Sequence, residues 1–63
     1  MKPRIQEIRK NQGLMQGYVA KQMGISQQIL SDWEKGKVFP RIDKAYKLAE
    51  ILGVDINELY KRD

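Results

Sequence analysis

The chain has 63 residues, a net charge of +4 and a pI near 9.6, and it contains neither cysteine nor histidine. That length fits one small domain, 1–63, of limited burial. The composition excludes disulfides and thiolate metal sites, and it removes the commonest general base and metal ligand.

Five short helices are predicted, and no strand pattern competes with them. The first covers about Pro3 to Asn11, with Pro3 suited to a first helical position. Ile5 and Ile8 share one face, and Gly13 ends the segment before Leu14 returns to the core. The second helix is about Gln16 to Met23. Val19, Ala20 and Met23 form its apolar face, Gly17 weakens its first turn, and Gly24 stops it. The third runs from Ser26, a good N-cap, to Lys35, with Leu30 and Trp33 as its buried stripe and Gly36 as its stop. Pro40 disfavours helix at Phe39, so the fourth helix starts near Ile42 or Asp43. It runs to Leu52 on the pattern Ala45, Leu48, Ala49, Leu52, and Gly53 closes it. Asp55 and Glu58 form a capping box that opens the fifth, with Val54 and Leu59 as its hydrophobic staple.

No apolar run approaches the ~20 residues of a membrane span. The charged start "MKPRIQEIRK" is unlike a signal peptide. A cysteine-free chain of this kind fits the cytoplasm, in association with the nucleoid. Charge is uneven: residues 35–47, "KGKVFPRIDKAYK", hold five basic groups against Asp43 alone. Such clustering favours a polyanionic partner, although ordinary solubility charge accounts for it equally well.

The stretch "QGYVAKQMGISQQILSDWEK" (16–35) carries the most information. It reads as helix, tight turn and second helix, with small Ala20 where two helices cross and Gly24 where the chain must reverse. In a helix-turn-helix the second helix lies in the DNA major groove. Gln27 and Gln28, directly after the Ser26 cap, would otherwise be silent surface amides; their position makes them candidate readers of base edges.

On "IRKNQGLMQ", "VAKQMGIS", "DWEKGKVFP" and "LAEILGVDINEL", in this order and spacing, the sequence resembles the Cro/cI-type (XRE) helix-turn-helix proteins from about Ile5 to Tyr60. The resemblance implies an all-α, compact five-helix bundle of the lambda repressor-like kind. It implies that Gln16 touches phosphate at the start of the second helix and that Gln27 and Gln28 reach base edges, where a glutamine can pair with adenine. Asp32 falls at a further base-facing position. Arg9 and Glu34 match an internal ion pair joining the first and third helices. Lys35 and Lys37 match the backbone-contacting turn after the third.

The chain also departs from that pattern. Met15 and Arg41 stand where Ser or Thr usually caps, and Gly17 stands where a helix former is usual. Arg41 adds a cation beside the expected phosphate path. Asp32 would repel phosphate and needs a donor, such as cytosine N4 or a basic neighbour. Tyr18 is either a phosphate donor or a plain exposed aromatic. Ile29 either packs under Ile25 or meets a thymine methyl, and helical spacing does not choose. Leu30 and Trp33 are core, and Lys21 is plain surface.

These readings point to a sequence-specific, double-stranded DNA-binding transcriptional regulator, a repressor, that reads the major groove with the third helix. It needs no cofactor, metal or small-molecule substrate. Leu59 and Tyr60 form an apolar edge that either finishes the core or makes a small two-fold contact, giving a weak homodimer on a palindromic operator. The rival reading is a protein-interaction module on the same fold, antitoxin-like or bridging. Its mark would be an exposed apolar patch outside the third helix, and none stands out in the sequence. An enzyme is disfavoured, because Ser26 and Ser31 have no histidine to activate them.

Overall fold

The computed structural model describes residues 1–62. In chain order it contains β1 (Lys2–Pro3), α1 (Ile5–Asn11), α2 (Gln16–Met23), α3 (Gln27–Lys35), α4 (Ile42–Leu52), a 3₁₀ helix (Ile56–Leu59) and β2 (Tyr60–Lys61). The expected bundle of five α-helices is therefore corrected to four, with a short 3₁₀ turn and a small strand pair.

Both corrections have one cause at the chain ends. β1 and β2 pair antiparallel, with Lys2 opposite Lys61 and Pro3 opposite Tyr60. The Arg4 N–H extends this contact by donating to the Leu59 carbonyl at 2.7 Å. Pro3 is thus held extended rather than helical, in an edge strand where proline is tolerated, and α1 starts at Ile5. At the other end the capping box forms as read. The Asp55 carboxylate accepts from the Asn57 N–H, and Glu58 accepts from the Asp55 N–H, each at 2.9 Å. Only four residues then remain before Tyr60 must join the strand, so the turn closes with the tighter i→i+3 bond from Glu58 N–H to Asp55 carbonyl.

The three middle helices keep their expected bounds, because each ends at a glycine in the left-handed region. Gly24 is the one the motif depends on. Its φ of +71° lets the Ile25 N–H reach the Ala20 carbonyl at 3.0 Å, a Schellman closure that turns α2 directly into α3. The core then assembles from one face of each helix: Ile5 and Ile8, Val19, Ala20 and Met23, Leu30 and Trp33, and Ala45, Leu48, Ala49 and Leu52, with Leu59 closing the end. Leu14, Ile25 and Val54 pack half-buried around it.

Tyr60 marks the junction of the strand pair with the loop before α4. Its ring meets Phe39 at 5.5 Å, tilted by 50°. Its hydroxyl oxygen is buried and has no hydrogen-bond partner among the described residues. Burial raises the phenol pKa above the ordinary 10.0, which favours the neutral form in the folded state. That contribution to stability is present below the unfolded value and is lost as pH rises through the folded one. We expect Tyr60→Phe to equal or exceed the wild type at pH 7 by up to about 1 kcal/mol in urea unfolding, since it removes an unpaired hydroxyl. The same variant should lose less stability than the wild type on raising the pH above about 10; parallel losses in both proteins would refute this account of Tyr60.

Candidate nucleic-acid interface

α3 begins at a true cap: Ser26 accepts a bond from the Ile29 N–H at 3.1 Å. At 100° per residue, Leu30, Trp33 and Glu34 fall on one side, and all three are buried. Gln28 and Asp32 point the opposite way. Ile29 is 44% exposed, so of the two readings left open for it the core one is set aside. Gln27, Gln28 and Ile29 are exposed, whereas Asp32 is half-buried.

What fixes the rotation of α3 is Glu34. Its carboxylate accepts from Arg9 Nε at 2.6 Å and Nη2 at 3.3 Å, and from Gln16 Nε2 at 2.9 Å. Arg9 Nη1 donates to the Leu14 carbonyl at 2.9 Å. Both charged residues are only 7% exposed, so each charge depends on the other. Gln16, expected at phosphate, thus commits part of its amide to Glu34; a second N–H and its carbonyl stay available. Nothing in the sequence pointed to this bond, because its partners lie 18 residues apart.

The adjacent glutamines have different neighbours. Gln28 Nε2 donates to Asp32 Oδ1 at 3.0 Å, one helical turn on. This gives Asp32 one neutral donor on its own helix, not the cytosine amine or basic neighbour expected, and the i, i+4 spacing alone could have suggested it. Gln27 instead leans over α2 at Gly17.

Around this face lie the candidate phosphate residues. Lys35, Lys37, Arg41 and Tyr18 are all exposed, Tyr18 by half. Met15 and Arg41 occupy the N-cap positions of α2 and α4, and no described side chain caps either helix. The first-turn N–H groups of both helices are thus left for solvent or an anion.

Of the two readings left open for Leu59 and Tyr60, completion of the core holds for Leu59. Leu59 is fully buried and Tyr60 half-buried. Among the exposed apolar side chains, Phe39, Ile42 and Tyr46 line an open groove of about 770 Å³ with Tyr60. The sequence hid this patch because Ile42 and Tyr46 sit within the otherwise polar face of α4.

Helix, Gly24 turn and outward-facing α3 are the parts of a helix-turn-helix, and residues 5–59 match the helix-turn-helix family. The chain belongs to the XRE-type helix-turn-helix family of DNA-binding transcriptional regulators. This XRE protein is 35% identical over 60 residues to an HTH-type transcriptional regulator of Archaeoglobus fulgidus, covering 95% of this chain and 86% of the relative. It is 42% identical over 52 residues to the regulator y4dJ of Sinorhizobium fredii, covering 82% and 68% of the two chains. Against the regulator PuuR of Escherichia coli it is 35% identical over 57 residues, which span 90% of this chain but 31% of that protein. No described helix is long and apolar enough to cross a membrane.

In this XRE protein, breaking the buried pair should cost far more than a surface bridge. Arg9→Met is expected to destabilise by about 3–5 kcal/mol in chemical denaturation, because it strands the Glu34 charge. Adding Glu34→Leu should recover a large part of that loss. Additive losses in the double variant would show that the pair is not coupled.

Proposed function

We propose that the protein represses transcription by laying α3 in the major groove of double-stranded DNA, as a homodimer on a palindromic operator. The observation that carries this reading is the face of α3 itself. Gln27, Gln28 and Ile29 are exposed on a helix that the buried Arg9–Glu34 pair anchors to α1. Gln27 and Gln28 read bases, and Ile29 meets a thymine methyl. Asp32 reads with Gln28: the amide N–H joins the carboxylate, so the pair presents mainly acceptors. Acceptors suit the exocyclic amines of adenine and cytosine. Gln16, Tyr18, Lys35, Lys37 and Arg41 hold phosphates and set the register.

The second copy meets the first through Phe39, Ile42 and Tyr46, the exposed apolar surface next to α3's C-terminal loop. A contact of this size is weak alone and is stabilised by DNA. The same patch favours one rival, a protein-interaction module, in which the groove takes another protein and α3 takes nothing. In the repressor reading the protein works in the cytoplasm, at the nucleoid.

In vitro selection from random duplex DNA at stated salt, followed by footprinting, separates the two. A two-fold symmetric motif is expected; no enriched sequence would favour the rival. On the selected site, Gln28→Ala should cost about 1–3 kcal/mol and relax preference at its own base pair. An equal loss on every sequence would contradict base reading there. Lys37→Ala should weaken all duplexes alike and reduce the slope of log K against log salt by about 0.9. An unchanged slope would remove Lys37 from the phosphate contacts.

A further inference from the structure

Gly17 has no backbone reason to be glycine. The other four glycines have positive φ; Gly17 lies inside α2 and does not. Glycine there only weakens the helix. What matters at this position is small size, because the Gln27 side chain lies over it. A Cβ at Gly17 would lie 3.5 Å from Gln27 Nε2, 3.6 Å from its Cδ and 3.8 Å from its Oε1. Near-equal distances to three atoms of one planar group mean that the amide lies broadside on the glycine. Helical spacing explains the meeting. Gln27 precedes Glu34 by two turns and so shares the side of α3 on which Glu34 meets Gln16, the residue before Gly17.

We propose that residue 17 is a positioning residue for base specificity: a side chain no larger than alanine there leaves the Gln27 amide its place over the first turn of α2 before DNA arrives. This rests on Gln27 being a base reader. Glutamine has much rotamer freedom to lose on binding, and a seated amide has lost part of it already. Only an amide in a fixed plane discriminates base edges by two parallel bonds. A methyl group at residue 17 would touch the amide at ordinary contact distance and leave it seated. A branched side chain, with two γ-carbons, takes the space the amide now fills.

The test uses Gly17→Ala, Gly17→Val, Gln27→Ala and the Gly17→Val/Gln27→Ala double variant, with thermal melts to follow folding. Should the valine variant unfold, Gly17→Gln, a better helix former, replaces it. In the free protein, NMR should show cross-relaxation between the Gly17 Hα protons and the Gln27 side-chain amide protons. Its absence overturns the seating, whatever the protein does on DNA. On the selected duplex and its single-base-pair variants, Gln27→Ala first identifies the base pair that Gln27 reads. Gly17→Val should reduce discrimination about tenfold at that base pair and leave the others unchanged. Gly17→Ala should keep it, and Gly17→Val should add nothing in the Gln27→Ala background. A uniform loss of affinity, or an effect that survives in the double variant, overturns the specificity role. If Gln27→Ala changes no base preference while the cross-relaxation is present, the base-reading assignment fails and takes the specificity role with it, leaving the seating as packing alone.

Discussion

One buried carboxylate joins the first three helices. Glu34 receives Arg9 from α1 and Gln16 from α2, and Arg9 in turn holds the Leu14 carbonyl in the connection between them. A charge at 7% exposure is tolerated only with its partners in place, so the pair acts as a key as well as a bond. Apolar contacts at Leu30 and Trp33 are non-directional, whereas the bonds to the Glu34 carboxylate are directional. The outward direction of Gln28 and Asp32 follows from the inward direction of Glu34, since the two sets lie on opposite sides of one helix. In the proposed binding mode, specificity on the outer face would therefore depend on electrostatics on the inner one.

That arrangement gives the two adjacent glutamines different mechanical status. Gln28 stands farthest from the core and borrows order from Asp32 on its own helix, through an exposed pair worth a few tenths of a kcal/mol, about 0.2–0.5. Gln27 leans on a second helix at Gly17, and that helix is itself tied to Glu34 through Gln16. A reader that depends on a neighbouring helix is sensitive to substitutions outside the reading helix. In the proposed binding mode, the first turn of α2 would then contribute to phosphate register and to base choice at once.

Much of this was legible in sequence where the cause is local. α2, α3 and α4 have the expected limits because Gly24, Gly36 and Gly53 stop them and Ser26 caps α3, all effects within a few residues. The Asp55–Glu58 box was legible for the same reason. What failed is long-range. Pro3 looks like a helix start until Tyr60, at the other end of the chain, pairs with it. That pairing also leaves too few residues for a fifth α-helix. Ile29 was undecided because it falls on the flank of the helix, where periodicity gives no answer and exposure does. Gly17 read as a defect in α2, since the amide that lies over it belongs to another helix.

The uncapped helix starts fit the same economy. A serine or threonine at the position of Met15 or Arg41 would stabilise its helix by about 1 kcal/mol, a large share for a chain this small. Such a cap would also occupy the N–H groups that a phosphate could take. Left uncapped, α2 and α4 retain donors with the positive end of each helix dipole behind them, and Arg41 adds a full charge at the second. Asp32 pulls the other way, repelling phosphate from the centre of the reading face. In the proposed mode, attraction at the edges and repulsion in the middle would allow tight docking only where the groove offers an amine to Asp32. In the proposed mode this makes Asp32 a filter: it weakens binding to most sequences and leaves affinity on those with the matching donor.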